Sequence, residues 1–364
     1  MKIFLISNMY PSKTDPLFGV FVKNFKEGLE TIGVNFSQEA LIKGKSTSSI
    51  KKGIKYILHY FKILFGFIKS NYDLIYVHYL THHLPILFIL LPFKRKKWVI
   101  NVHGSDIIGI TPNGKIDALA TKLLSAVDLL VVPTSYFRDL IITKYPFLTA
   151  DKFYISPSGG IDANIFYVKK NKQPNTILTL GFISRFIEEK GWKTFLEALL
   201  LLKQNNIPFK AIIAGKGPDQ DKILEYIKEY NLSNEIEFLG LVKQNQLVDI
   251  YNSLDLYIFP SYREAESLGL TGLEAMSCGT PVIACNTAGP STYVTHKVNG
   301  YLFEPKNSIE LSQYITKYYD LSIKERSIII KNAIKTSFFY KSQTVNERLY
   351  IKLKEFIKTS LKTF

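Results

Sequence analysis

The stretch Leu256-Tyr-Ile-Phe-Pro260-Ser-Tyr-Arg-Glu-Ala-Glu266-Ser-Leu-Gly269-Leu-Thr-Gly-Leu-Glu274-Ala-Met-Ser-Cys-Gly279-Thr-Pro-Val282-Ile-Ala-Cys285 decides how this sequence folds. An apolar run is followed by a polar loop, a helical pattern from about Gly269, and a second apolar run. Pro260 and Ser261 end the first run, and Gly279 stops the helix with Pro281 just beyond. Short strands that are apolar throughout, joined by a helix, belong to a parallel sheet covered on both faces.

The same alternation extends in both directions. Lys2–Ile6, Leu74–Val77, Trp98–Val102, Leu129–Val132 and Phe153–Ile155 read as buried strands. Ile177–Leu180, Lys210–Ala214 and Ile236–Leu239 join Leu256–Phe259 and Val282–Cys285 in a second series. The expected fold class is α/β, with two doubly wound, Rossmann-like domains facing across a cleft. A length of 364 residues fits two domains of about 150 residues each. The polar stretch Val168–Asn175 separates the two series and contains Pro174. The reading is an N-terminal domain over 1–168, a linker over 169–175, a C-terminal domain over 176–340 and a final helix over 341–364 able to pack back on the N-terminal domain.

A composition of 46% hydrophobic and 21% charged residues excludes a disordered or fibrous chain. Two cysteines, Cys278 and Cys285, exclude a disulfide framework and suit a reducing compartment. The opening MKIFLISNMYP lacks the architecture of a signal peptide. The most apolar window, Leu84–Phe93, is interrupted by two prolines and is shorter than the ~20 residues of a membrane span. The expected location is therefore cytoplasmic.

The net charge of +15 calls for something negative nearby. Lys43, Lys45, Lys51, Lys52, Lys55, Lys62 and Lys69 occur with no acidic residue between Glu39 and Asp73, and aromatic and aliphatic residues interleave with them. This pattern describes either a basic amphipathic surface on anionic lipid or the solvated basic face of an ordinary docked helix. Nucleic acid is disfavoured, because neither zinc spacing nor an RNA-binding sheet signature is present.

The chemistry concentrates at two strand-to-helix junctions. In the opening stretch, a glycine-containing loop leads into a helix, which presents free backbone N–H groups and a positive helix end to a phosphate. Glu266 lies in that loop and Glu274 about a turn inside the helix. Two carboxylates could flank a glycosidic bond, bind vicinal hydroxyls of one elongated ligand, or be solvated surface residues. At the second junction, Gly181-Phe-Ile-Ser-Arg185-Phe-Ile-Glu-Glu-Lys190-Gly191 carries two cations that can converge on a pyrophosphate. His78, His82 and His83 lack complementary metal-ligand spacing, so they read as polar residues at a strand end. Gly215-Lys-Gly217-Pro218 reads as a tight turn, and Cys278 as a small buried residue.

Together these segments resemble the family 4 retaining glycosyltransferases of the GT-B fold, also called group 1 glycosyltransferases, of the type found in bacterial polysaccharide biosynthesis. The family's Glu-x7-Glu signature matches Glu266 and Glu274, and its Arg followed five residues later by Lys-Gly matches Arg185 and Lys190-Gly191. Met9-Tyr10-Pro11 through Pro16-Leu-Phe-Gly19 resembles the N-terminal glycine loop. Val102-His103-Gly104-Ser105-Asp106 resembles the histidine–aspartate segment, and Ser158-Gly159-Gly160-Ile161-Asp162 stands where the family has Asn-Gly-Val-Asp.

The resemblance implies that Arg185 and Lys190 neutralise a donor diphosphate. It implies that Glu274 holds the ribose and Glu266 the transferred sugar. Backbone groups of Ser267, Leu268, Gly269 and Leu270 would take the distal phosphate, which Gly19 would let the N-terminal loop approach. Backbone after Gly240, at Leu241, would meet the base. His103 would lie beside the donor sugar and the acceptor hydroxyl, with Asp106 in support. Two departures stand out: Thr292 replaces a usual acid, and Gly159 occupies the Asn position.

The implied reaction transfers a hexosyl or N-acetylhexosaminyl group from a UDP- or GDP-sugar to a saccharide acceptor. Neither metal nor cofactor is needed. The lysine-rich stretch points to a lipid-linked acceptor on the inner face of the cell membrane. A non-catalytic carbohydrate- or nucleotide-binding protein, or a GT-B-like phosphorylase or hydrolase, are the alternatives.

Overall fold

The structure, a computed structural model, describes residues 1–16, 18–46, 48–170 and 175–359. By its contacts the chain divides into two compact units, Met1–Gly160 with Ser342–Phe364, and Ile161–Lys341. Of the anticipated linker, residues 171–174 lie outside the described residues, as does Leu17 of the N-terminal glycine loop.

Among the described residues each unit carries one six-stranded parallel sheet. The first comprises β1 (Lys2–Tyr10), β2 (Asn35–Lys43), β3 (Leu74–His78), β4 (Lys97–Asn101), β5 (Leu129–Val132) and β6 (Phe153–Ile155), in the order β2-β1-β3-β4-β5-β6. The second comprises β7 (Leu178–Ile183), β8 (Phe209–Ala214), β9 (Ile236–Gly240), β10 (Leu256–Phe259), β11 (Val282–Cys285) and β12 (Gly300–Phe303), in the order β12-β11-β10-β7-β8-β9. The chain is doubly wound α/β in both units.

Alternate residues of each strand feed opposite faces, as a two-residue repeat requires. Ile3 and Leu5 enter the core under the helices Val20–Glu30 and Ser342–Thr359, whereas Phe4 and Ile6 enter the core on the other face. In the second unit, Leu256 and Ile258 face one core and Tyr257 and Phe259 the other. Both faces are covered, which is why these strands are apolar throughout.

Each anticipated apolar run lies on a strand, but β2 and β12 went unanticipated. Both are edge strands. β2, Asn-Phe-Ser-Gln-Glu-Ala-Leu-Ile-Lys, carries the polar residues that an exposed edge permits. β12 opens on Gly300, a residue that reads as a turn; there a Cβ would stand 2.1 Å from the Val282 carbonyl oxygen of β11.

The lysine-rich stretch forms the 21-residue helix Ser49–Lys69. Its inward face buries His59 and Ile63. Ile50, Ile54, Ile57, Leu58, Phe61, Phe65 and Ile68 remain exposed. At about 100° per residue, these seven fall on one stripe, flanked by Lys51, Lys62 and Lys69. Among the described residues no helix is long and apolar enough to cross a membrane.

Candidate functional site

Strand order reverses between β7 and β10 in the second sheet: the chain moves outward to β8 and β9 on one side and to β11 and β12 on the other. Ligands of open α/β sheets bind beyond the carboxyl ends of the strands at such a switch point. The loop after β7 carries Arg185 and Lys190, and the loop after β10 carries Glu266.

Gly191 joins these loops. Its φ of 74° lies in the left-handed region, and a Cβ there would stand 2.1 Å from the Pro260 carbonyl oxygen. The loops then bond directly, Tyr262 N–H donating to the Glu189 carbonyl at 3.0 Å. Lys190 consequently forms an ion pair with Glu266 across 76 residues of sequence, and Ser261 Oγ donates to the same carboxylate oxygen at 3.0 Å. Both paired side chains are largely buried, 15% and 13% exposed. Arg185 is exposed and lines a cavity of about 300 Å³ with Gly215, Lys216, Leu241 and Thr271.

The helix Leu270–Ser277 begins at Gly269, in the left-handed conformation with no side-chain cap. Its first backbone N–H groups therefore lack a side-chain acceptor at the switch point. Glu274, within this helix, is only 7% exposed and accepts a hydrogen bond from Tyr251 Oη at 3.1 Å. Burial pushes its carboxyl up to about 7, with the Tyr251 hydroxyl opposing that rise. Neither Glu266 nor Glu274 is a solvated surface residue.

The remaining glycines of these loops permit close approach. At Gly215 a Cβ would meet the Ser184 carbonyl at 1.8 Å, and at Gly217 the Phe186 carbonyl at 2.2 Å, so the turn after β8 is pressed onto the Arg185 loop. Gly289 N–H donates to the Glu266 carbonyl at 3.0 Å, which braces the loop carrying Ser267 and Leu268. Thr292, at the position of the family's acid, makes a local bond from Oγ1 to the Gly289 carbonyl at 2.6 Å. Gly240 has a positive φ with open space around it, and Leu241 beyond it is 70% exposed. Sequence reading missed Tyr251 and Ser261, because hydroxyls acquire meaning only when folding places them beside a carboxylate.

In the first unit, Asp106 is fully buried and ties two strand ends together. Its carboxylate accepts from His103 N–H and from Leu80 N–H, each at 2.9 Å. Burial raises its carboxyl to about 6 against these backbone donors. Gly19 has a φ of 72°, and a Cβ there would meet Met9 C at 2.5 Å, so its close approach is to the end of β1. Tyr79, a non-glycine residue with φ 72°, is held by a bond from its N–H to the Asn101 carbonyl at 3.1 Å.

Four histidines form two pairs. His78 Nδ1 lies 3.0 Å from His103 Nε2, and His59 Nε2 lies 3.0 Å from His83 Nε2. His83 Nδ1 is 2.7 Å from the Tyr79 carbonyl, which can only accept, so Nδ1 carries the proton. In neutral His83, Nε2 then accepts from His59. His82 stacks on Tyr79 at 5.7 Å.

Burial, followed by the mutual effect of the pair and Lys62, pushes His59 down to about 3; burial pushes His83 down to about 4. Unfolded histidine titrates near 6.5, so the unfolded chain takes up protons first as pH falls below that value. These residues therefore lower stability progressively from about pH 6.5 to about pH 3 and contribute no pH dependence well above 6.5. Asp106, with its raised value, works in the opposite sense. The double variant His59→Gln/His83→Gln is expected to flatten the acid limb of a stability–pH curve from denaturant unfolding. An unchanged limb would contradict the buried neutral pair.

The description "Glycosyl transferases group 1" matches residues 163–336. The 2-deoxystreptamine N-acetyl-D-glucosaminyltransferase of Niallia circulans is 26% identical over 65% of this chain and 64% of its own length. The putative colanic acid biosynthesis glycosyltransferase WcaL of Escherichia coli is 26% identical over 52% of this chain and 48% of its own length. Each match spans less than two thirds of the relative concerned. The solved structure of Anabaena HepE in complex with UDP has a TM-score of 0.75 at 19% identity, covering 98% of this chain and 100% of that one. Residues 163–336, which hold the switch-point loops and the Glu-x7-Glu helix, match the group 1 glycosyl transferases, and the chain has the GT-B fold.

Proposed function

We propose that this chain is a retaining glycosyltransferase that moves a hexosyl or N-acetylhexosaminyl group from a UDP- or GDP-sugar to a saccharide acceptor in surface-polysaccharide biosynthesis. The observation that carries this reading is the convergence, at the switch point of the second sheet, of Lys190 paired with Glu266, the uncapped helix start at Gly269, and the Arg185 loop. The UDP bound by HepE and the colanic acid biosynthesis in WcaL's name lend support.

In this reading the donor diphosphate competes with Glu266 for the Lys190 ammonium. Arg185 and the N–H groups of Ser267, Leu268, Gly269 and Leu270 take the remaining phosphate oxygens. Released from Lys190, Glu266 accepts hydroxyls of the transferred sugar, and Glu274 accepts those of the ribose. Gly240 and Leu241 border the base. As the bond from the anomeric carbon to phosphate oxygen breaks, negative charge grows on the diphosphate, where these fixed donors stabilise it. The acceptor oxygen attacks from the same face, its proton passing to the departing phosphate. The first unit carries the acceptor, with His103 beside the reacting hydroxyl, Asp106 fixing its backbone and Gly19 shaping the loop after β1.

Because protein cations do the neutralising, activity is expected to survive EDTA; loss of turnover on chelation would oppose this assignment. The deciding experiment is a thermal-shift screen of UDP- and GDP-sugars. Stabilisation by one nucleotide sugar, lost in Arg185→Ala, is expected; no shift with any of them would overturn the reading. Release of free sugar without an acceptor would instead identify a hydrolase.

We further assign the exposed stripe of Ser49–Lys69 to the inner face of a membrane with anionic lipids, where a lipid-linked acceptor resides. Seven apolar side chains and flanking lysines match the depth and charge of such an interface. The protein is expected to sediment with phosphatidylglycerol vesicles at low salt and to be released as salt shortens the screening length. Phe61→Glu/Phe65→Glu should abolish sedimentation without altering the melting temperature. Equal sedimentation of the double variant would sink the idea.

A further inference from the structure

Strand order in the first sheet reverses between β1 and β3. A cavity of about 340 Å³ opens there, beyond the carboxyl ends of β1, β2 and β3. Asn8 and Met9 of β1, Ile42 of β2 and Tyr79 just after β3 contribute to its wall. This is the position at which open α/β sheets hold ligands, and the residues proposed above for the donor all lie elsewhere.

The lining is strongly one-sided in charge. Lys45, Lys52 and Lys55 all border the cavity, and among the described residues no carboxylate does. Asp15 accepts from the Lys45 backbone N–H at 3.1 Å and is not among the lining residues. Lys55 Nζ donates to the carbonyls of Lys43 and Gly44, each at 3.1 Å, and of Lys45 at 3.5 Å, so its three N–H groups are committed to backbone and its ammonium acts on an anion through charge. Burial and the charge of Lys52 keep His82 below its ordinary range, consistent with a positive potential.

Hydroxyl donors complete the wall. Tyr56 Oη accepts from Asn8 Nδ2 at 3.3 Å, which leaves its own hydrogen to donate. Tyr79 holds its strained left-handed backbone at the mouth of β3, as residues at ligand sites often do. Tyr56 and Lys52 belong to the helix Ser49–Lys69 and lie on its inward side, with His59 and Ile63. An anion with a small polar body fits the interior.

We infer that this cavity binds the phosphate or pyrophosphate group of a phosphorylated saccharide acceptor through Lys45, Lys52 and Lys55. The inference rests on the glycosyltransferase reading for the word acceptor, but the anion site can be tested apart from it. The phosphate comes either from a soluble sugar phosphate or from a lipid-linked saccharide.

Lysine acetylation of the full chain, read residue by residue by mass spectrometry, separates these cases. Inorganic pyrophosphate, a hexose 1-phosphate, and a polyprenyl phosphate in phosphatidylcholine vesicles serve as probes. At nine-tenths occupancy, acetylation of Lys45 and Lys52 is expected to slow about tenfold, with Lys324 of the second unit unchanged. Slowing by the hexose phosphate assigns a soluble acceptor; slowing by pyrophosphate and the polyprenyl phosphate but not the hexose phosphate assigns a lipid-linked one. Unchanged rates at Lys45 and Lys52 with every probe would overturn the inference. So would slowing by phosphatidylglycerol vesicles alone, which assigns these lysines to general bilayer contact. In the same experiment UDP or GDP reports on Lys190. Protection there without protection at Lys45 and Lys52 leaves the donor reading standing and this one refuted; the converse refutes the donor reading alone.

Discussion

Lys190→Ala is expected to lower kcat at least 100-fold while the protein still folds. Removing one preorganised donor to a developing oxyanion typically costs ~3–4 kcal/mol, and each ~1.4 kcal/mol is a factor of ten in rate. The side chain ends a three-residue turn, Glu188–Lys190, whose backbone is fixed by Gly191 and the loop after β10. Its loss leaves Glu266 with Ser261 Oγ as a remaining donor, so a modest fall in melting temperature accompanies the loss of turnover. Steady-state kinetics and a thermal melt on the same preparation check both parts. Wild-type turnover would refute the assignment of Lys190.

The companion variant Glu266→Gln separates two roles that one side chain combines. With no carboxylate to hold it, Lys190 is free for phosphate, and the nucleoside diphosphate should bind more tightly. Turnover should nevertheless fall, because the amide no longer accepts the sugar hydroxyls as a carboxylate does. Weaker diphosphate binding would contradict the competition between Glu266 and phosphate for Lys190.

Gly191→Ala is expected to have the other large effect, on folding as well as on activity. A left-handed backbone costs an alanine about 1–2 kcal/mol relative to its preferred region. The added Cβ would also stand 2.1 Å from the Pro260 carbonyl, with Pro260 C at 2.7 Å. A carbonyl cannot rotate away as a side-chain tip can, so the loops after β7 and β10 must separate. That movement stretches the Tyr262–Glu189 hydrogen bond and draws Lys190 away from Glu266. A lowered melting temperature together with lost donor binding is expected. A variant with native stability and binding would show that the loops do not need this contact.

Much of the second unit was legible in its sequence because the relevant geometry is local. The apolar run Leu256–Phe259, the helix stop at Gly279 and the second run Val282–Cys285 depend on residues near one another. Arg185, Lys190, Glu266 and Glu274 could be singled out by spacing and by their place at strand-to-helix turns. The pairing of Lys190 with Glu266 was not legible, nor was the bond from Tyr251 to Glu274. The first depends on β7 lying beside β10, which happens only after three crossovers, and the second on the packing of the two helices that flank β10 in sequence. Of the two missed edge strands, β2 was obscured by the polar residues its edge permits and β12 by opening on Gly300, which reads as a turn.

The histidines show the same division. Their cluster after β3 was visible, but His59 comes from a helix 24 residues before its partner His83, and His103 from the next strand end. Only packing makes them two pairs.

By itself the sequence determined that the chain is α/β and doubly wound twice, because strand burial and helix periodicity are written in short-range patterns. It also determined that Ser49–Lys69 is basic and amphipathic. The tertiary structure alone decided which face of that helix is covered: His59 and Ile63 turn inward, and the stripe from Ile50 to Ile68 does not. Periodicity marks where a helix has faces, but what buries a face is another part of the chain, brought there by folding.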